Sequence, residues 1–168
     1  VGSEMCIRDR QIKIGAAYHK APIIIVGTGS GLSYAELGPT HHSFEDIAIL
    51  RSIPDLNILA PCDSHELKAH FCDALKSDYP TYIRIGKKGE PQINFNELED
   101  IGIGKSTLIK EGDDILILGI GPILGEAINA VNLLAEKENL QVGVASISSI
   151  KPLNKSFLLE MAKNYKRW

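Results

Sequence analysis

GPTHHSFEDIAILRSIP, residues 38–54, is the stretch on which the reading of this chain turns. Pro39 fixes one backbone torsion and restricts Gly38, so the segment carrying His41 and His42 is stiff. Ser43 followed three residues later by Asp46 predicts a capped helix start, and Ile53-Pro54 predicts its stop. Just upstream, residues 21–27 (APIIIVG) form a continuous β-branched run, the pattern of a strand buried on both faces. Strand, loop and helix come in that order, and loops at the C-terminal ends of parallel strands are where α/β proteins put ligand groups. An imidazole there can exchange a proton near neutral pH. The pattern fits equally a plain role, one ring capping a carbonyl and the other solvated. Gly27, Gly29 and Gly31 also divide evenly between close backbone approach to a ligand and simple turns.

Working outward, residues 57–60 (NILA) read as a short buried strand, and Asp63 with Glu66 forms a D-x-x-E start for a helix to about Lys76. Leu67, Phe71, Ala74 and Leu75 are expected on its apolar face. Thr81–Ile85 predicts a strand with Ile83 and Ile85 on one side and Tyr82 and Arg84 on the other. Residues 86–100 lose all periodicity and read as a linker. Beyond it, residues 104–110 and 114–118 predict a hairpin around Glu111-Gly112-Asp113. Pro122 opens a long helix whose apolar rhythm runs through Leu124, Ala127, Ile128, Val131, Leu134 and Ala135. Residues 142–147 predict another strand, and Asn154 or Ser156 opens a last helix. The alternation defines an α/β class with mostly parallel sheets.

The chain has 168 residues, 44% hydrophobic and 23% charged, the balance of a globular protein. A net charge of −3 gives no electrostatic case for nucleic acid or an anionic membrane, and no apolar run is long enough to span a bilayer. Three cysteines, Cys6, Cys62 and Cys72, suit a reducing cytoplasm rather than a disulfide framework. Residues 1–9 have no apolar core of a signal peptide, fit poorly with the residues after them, and read as a non-native segment such as adapter read-through.

Cys62, His65, His70 and Cys72 crowd one segment, but helical geometry turns His65 and His70 about 140° apart and puts Cys72 two turns from His65. No metal site is expected there, and surface histidines with partly buried thiols account for the cluster. Gly119-Ile120-Gly121-Pro122 lacks the third glycine of a dinucleotide fingerprint, and Pro122 removes an amide that could cradle phosphate, so a tight β-α turn is expected.

A longer ordered series carries more. Gly38-Pro39-Thr40-His41, Glu45-Asp46-Ile47-Ala48, Leu50-Arg51-Ser52-Ile53-Pro54 and Ala60-Pro61-Cys62-Asp63 with Glu66 resemble the pyrimidine-binding domain of the transketolase family of thiamine-diphosphate enzymes. Gln11-Ile12-Lys13 and Ala17-Tyr18-His19 match upstream. Ile103-Gly104-Lys105, Glu111-Gly112-Asp113-Asp114, Leu118-Gly119-Ile120-Gly121 and Ile150-Lys151-Pro152-Leu153 resemble the family's C-terminal domain. The resemblance implies residues 10–86 as a partial, three-layer pyrimidine-binding domain, 87–101 as linker and 102–168 as a truncated α/β C-terminal domain.

It further implies two-carbon ketol transfer from a ketose or 2-oxo acid to an aldehyde, with His41 as the catalytic imidazole. His42, Arg84 and Lys87 fall at or near substrate-contacting positions. The activating glutamate, the stacking aromatics and the domain holding the diphosphate with its divalent metal (magnesium) lie outside the matching stretch, so no cofactor-binding residue is assigned. The expected partner is an N-terminal diphosphate-binding subunit or domain, in a homodimer or heterotetramer. This chain alone is expected to be inactive. Leu37 stands where relatives carry an aspartate that reads sugar configuration, and Gly29 and Ser30 stand near a phosphate-gripping position. Those departures point away from ordinary pentose phosphates. Two alternatives are a 2-oxo-acid dehydrogenase β subunit, passing its carbon unit to lipoamide, and a non-catalytic assembly subunit of the same fold.

Overall fold

The computed structural model describes residues 10–87, 89–90, 92–93 and 101–168. The proposed non-native segment and most of the linker lie outside the described residues.

The first sheet contains β1 (Ile24–Thr28), β2 (Asn57–Leu59), β3 (Thr81–Ile85) and β7 (Ser149–Lys151), in the order β1-β3-β2-β7. β3 pairs in parallel with both β1 and β2, and β7 runs antiparallel to β2. One face is covered by a π-helical turn, Ile12–Tyr18, and by helix α1, Asp46–Arg51. There Ala17, Leu50, Ile53, Leu56, Ile58, Tyr82 and Ile150 form one core. The other face takes helix α2, Ser64–Ala74, where Ala74 and Leu67 pack on Leu59, Ile83 and Ile24. Strand β3 alternates between these cores as its sequence predicts, because successive side chains of a strand point to opposite faces.

The second sheet has β4 (Thr107–Lys110), β5 (Ile115–Gly119) and β6 (Val142–Ser146), ordered β4-β6-β5. Helix α3, Leu124–Glu138, covers one face through Leu124 and Val131, and helix α4, Lys155–Asn164, covers the other through Met161. Asp63 caps α2 by accepting from His65 N and Glu66 N at 3.0 Å each. Asn154, rather than Ser156, caps α4 by accepting from Phe157 N at 3.1 Å.

Several expectations change. β1 is an edge strand, not one buried on both faces: Ile23 and Val26 are 45% and 47% exposed. The Glu111-Gly112-Asp113 turn does not make a hairpin, because β6 lies between β4 and β5. The small residues Gly143 and Ala145 let β6 occupy the fully buried centre, and a side chain on Gly112 would overlap the backbone of Val142 and Gly143. Ser43 does not cap α1; its backbone bridges to Gly31 instead. On α2 the inward face is Glu66, His70 and Ala74, while Phe71 and Leu75 face solvent. His70 and Cys62 are fully buried rather than peripheral, and Cys72 is exposed.

The short strand β7 has no counterpart in the sequence pattern. It belongs in sequence to the second unit but completes the first sheet. Around it lies a buried polar seam. Ser148 O accepts from Ala60 N at 2.7 Å, and Ser148 Oγ lies 2.8 Å from His70 Nε2. Ser149 Oγ accepts from Gly104 N at 2.8 Å and donates to Pro152 O at 2.7 Å.

Candidate active site

Residues 31–43 form a compact loop between β1 and α1. Its neck is closed by two backbone hydrogen bonds, Gly31 N to Ser43 O at 3.0 Å and Ser43 N to Gly31 O at 3.1 Å. A 3-10 turn, Ala35–Leu37, lies inside it, and His41 N donates to Gly38 O at 3.0 Å. This is the anatomy of an Ω-loop, self-packed and anchored at closely spaced ends. Gly38 has φ of 77°, a left-handed conformation that few side chains tolerate, so glycine before Pro39 serves a structural need.

His41 is exposed on this loop, with Nδ1 at 3.0 Å from Thr40 Oγ1. His42 is half-buried; its Nε2 lies 3.4 Å from Ala35 O, and its ring meets Phe44 edge-on. Leu32, Leu37 and Phe44 are each more than half exposed on the same loop and its exit. The sequence-predicted pair of imidazoles is therefore displayed by one pinned loop, among apolar side chains that face outward.

Arg84 does not point outward. Its Nε donates to Asp46 Oδ2 at 3.0 Å, and its Nη2 to Ser43 O at 2.6 Å, with both charged side chains 16% exposed. Tyr82 Oη donates to the same Asp46 oxygen at 2.8 Å, and burial raises the Tyr82 phenol well above its usual range. Asp46 thus ties β3 to the start of α1, and Arg84 ties it onward to the neck of the loop. In the sequence Asp46 reads as a helix-start signal and as part of the Glu45-Asp46-Ile47-Ala48 series, not as an anchor for Tyr82 and Arg84. The missed clue was an acid opening α1 together with Tyr82 and Arg84 on one face of the neighbouring strand.

Lys87 follows the end of β3. Its Nζ pairs with Glu36 at 3.2 Å and sits 4.6 Å from the centre of the Tyr34 ring. Glu36 is held below the usual carboxylate range by a backbone hydrogen bond and by Lys87. Tyr34, also missed, packs its ring against Gly29, where the ring leaves no room for a side chain and the φ of 82° is one that L side chains rarely adopt. Lys87 and Tyr34 line a cavity of about 620 Å³ that also takes in Thr28, Pro61, Asp63 and Pro122. It opens at the C-terminal ends of β1, β2 and β3, the crevice that open α/β sheets offer to ligands. The cavity lining includes neither His41, His42 nor Arg84, so this chain brings Lys87 to the crevice and leaves the imidazoles on the outer face.

Below the crevice, Glu66 is fully buried and its Oε2 accepts from Cys62 N at 2.8 Å. Burial raises its carboxyl above the ordinary value against the opposing pull of the Cys62 amide. Burial likewise lowers His70 from 6.5 to about 4. Among the described residues, no group of three or more His, Cys, Asp or Glu side chains is arranged to hold a metal ion, and no helix is long and apolar enough to cross a membrane.

Comparison with known proteins gives the arrangement a lineage. Residues 5–91 match the family described as transketolase, pyrimidine binding domain, and residues 104–168 match transketolase, C-terminal domain. The chain is 34% identical over 144 residues to an apulose-4-phosphate transketolase subunit of Phocaeicola vulgatus, covering 86% of this chain and 46% of that protein. It is 32% identical over 152 residues to a 6-deoxy-6-sulfo-D-fructose transketolase subunit of a Clostridium species, covering 90% and 47%. Among solved structures, one described as a split gene transketolase, inactive beta4 tetramer, superposes with a TM-score of 0.80 at 28% identity, over 93% of this chain and 50% of that one. The chain spans about half the length of these relatives. Its two matched segments, the shared fold and these identities make it a member of the transketolase family.

Proposed function

We propose that this chain is the pyrimidine-binding and C-terminal part of a transketolase-like transferase that moves a two-carbon ketol unit from a ketose or 2-oxo acid to an aldehyde. The observation that carries this reading is the pinned loop, which leaves His41 exposed together with Leu32 and Leu37, and with Phe44 at its exit. Exposed apolar side chains on the same stiff loop as an imidazole suit a site completed by another subunit. In that site His41 stabilises a developing alkoxide and carries a proton to or from it. His42, steadied by the Ala35 carbonyl, lies beside it to contact substrate hydroxyls. Lys87 holds the anionic end of the acceptor; its pairing with Glu36 is exposed and easily exchanged. We assign Arg84, a substrate contact by sequence position, to holding the loop through Asp46 and Ser43.

Bound thiamine diphosphate would supply the electron sink for carbon–carbon cleavage. Among the described residues no group of side chains is arranged to hold a diphosphate-bound magnesium ion, and this chain's own contribution is the exposed imidazole loop. In this reading the diphosphate end is held by a partner subunit or domain, in a homodimer or heterotetramer, and this chain alone neither binds the cofactor tightly nor turns over. Residues 10–86 and 102–168 make up the two units, joined by 87–101. The protein works in the cytoplasm, where the thiols of Cys62 and Cys72 stay reduced. The transketolase names of the relatives favour aldehydes over lipoamide as acceptor, and Leu37 favours a modified sugar over a common pentose phosphate.

The test is reconstitution with a diphosphate-binding subunit, followed by assays with aldehydes and with lipoamide. His41→Ala should lower kcat by about 10²–10⁴ without changing thermal stability. An unchanged kcat, or transfer to lipoamide alone, would overturn the reading.

A further inference from the structure

Strand β7 delivers one cation to a place that the proposed chemistry does not use. Lys151 Nζ donates to the carbonyl of Ile53 and, at 3.3 Å, to that of Arg51. These acceptors lie at the C-terminal end of α1, where a helix leaves its last carbonyls without intrahelical partners. The other end of α1 follows directly from the imidazole loop. We propose that Lys151 is a positioning residue for the His41 loop, acting from the second unit through α1. This rests on reading that loop as catalytic.

The path is short. Six residues of α1 span about 9 Å. At its start, Asp46 accepts from Tyr82 Oη and Arg84 Nε, and Arg84 holds the Ser43 carbonyl. Ser43 in turn closes the neck of the loop against Gly31. The downstream limb of the loop therefore runs into a helix fastened by β3 at one end and by Lys151 at the other. Lys151 does not reach this place by a flexible stem alone. Its backbone is registered opposite Ile58 of β2, and Ile150 packs in the same core as Leu50 and Ile53. Leu50, 3% exposed, keeps α1 on the sheet when the ammonium is lost, so the consequence is a frayed last turn and a less ordered loop rather than unfolding.

The experiment uses Lys151→Met and Lys151→Arg in the full chain and in its complex with a diphosphate-binding subunit. Hydrogen–deuterium exchange is read over residues 31–53, with Val142–Ser146 as the internal reference. Lys151→Met should speed exchange over 31–53 about tenfold, the scale of one hydrogen bond to a charged group, and leave the reference unchanged. Lys151→Arg should restore protection. In the complex, kcat should fall for the Met variant while the KM for the acceptor stays within about twofold, the mark of a lost transition-state interaction. Unchanged exchange over 31–53, equal acceleration in the reference strand, or no rescue by arginine would overturn the proposal. A wild-type complex without ketol transfer would refute the catalytic reading of the loop, and the exchange data would still decide whether Lys151 orders it.

Discussion

His70 gives the fold an acid sensitivity with a calculable size. The ring is fully buried against Ser148, and burial lowers it from 6.5 to about 4, with Asp73 pulling weakly the other way. An imidazole lowered in this way is neutral in the folded chain. The unfolded chain takes up its proton first as pH falls, so His70 draws stability out between the unfolded and folded values. Between about pH 7.5 and about pH 4.5 this linkage amounts to about 2–3 kcal/mol. Glu66, one turn earlier on α2, has its carboxyl raised by burial and acts with the opposite sign: its protonation on acidification favours the folded state. In the wild type these two contributions oppose each other. The comparison that isolates His70 is His70→Gln, which keeps a side-chain partner for Ser148 but cannot titrate. Urea unfolding at the two pH values should show wild type losing about 2–3 kcal/mol more than the variant, with unchanged m-values. Parallel losses in both proteins would refute a neutral, buried ring.

Asp46→Ala should lower thermal stability strongly, by about 3–5 kcal/mol, because it strands the mostly buried Arg84 and removes the partner of Tyr82; a melting curve measures it. Gly112→Ala should reduce stability by about 1–3 kcal/mol, read by urea unfolding, since the new methyl meets backbone at Val142 and Gly143 that cannot step aside. Lys87→Met should cost less than about 1 kcal/mol of stability, because its ion pair is exposed, yet raise the KM for an anionic acceptor in the reconstituted enzyme.

What the sequence disclosed was mostly local. Thr81–Ile85 and the rhythm from Leu124 to Ala135 name their elements because period and burial coincide. Asp63 and Asn154 are legible caps because a short oxygen-bearing side chain before a periodic segment has one common use. Pairing was not legible. The apolar run at β1 looks central, but centrality depends on strand order, which set β3 inside it. Residues 104–118 look like a hairpin because neighbours in sequence usually pair, yet the slender β6 takes the middle. On α2 hydropathy found Leu67 and Ala74 but placed Phe71 and Leu75 inward in place of Glu66 and His70, which are buried among polar partners, one of which, Ser148, arrives from far along the chain. The site divides in the same way. His41, His42 and Lys87 stand out by type and motif, whereas the internal engagement of Arg84 required knowing that α1 lies across β3.

Strand β7 has a consequence for how such a molecule can be taken apart. Most of its two matched segments are distinct in sequence, and a protease or an engineer reading the primary structure would cut between them. Such a cut would not yield two intact bodies, because Ser149–Lys151 is a graft from the later segment onto the earlier sheet. The earlier piece would keep β2 as a raw margin, with Ala60 N deprived of the Ser148 carbonyl and His70 of its hydroxyl. Shuffling these segments between relatives therefore has to move the graft and its recipient margin together, and the joint that matters mechanically lies some fifty residues beyond the one visible in the sequence.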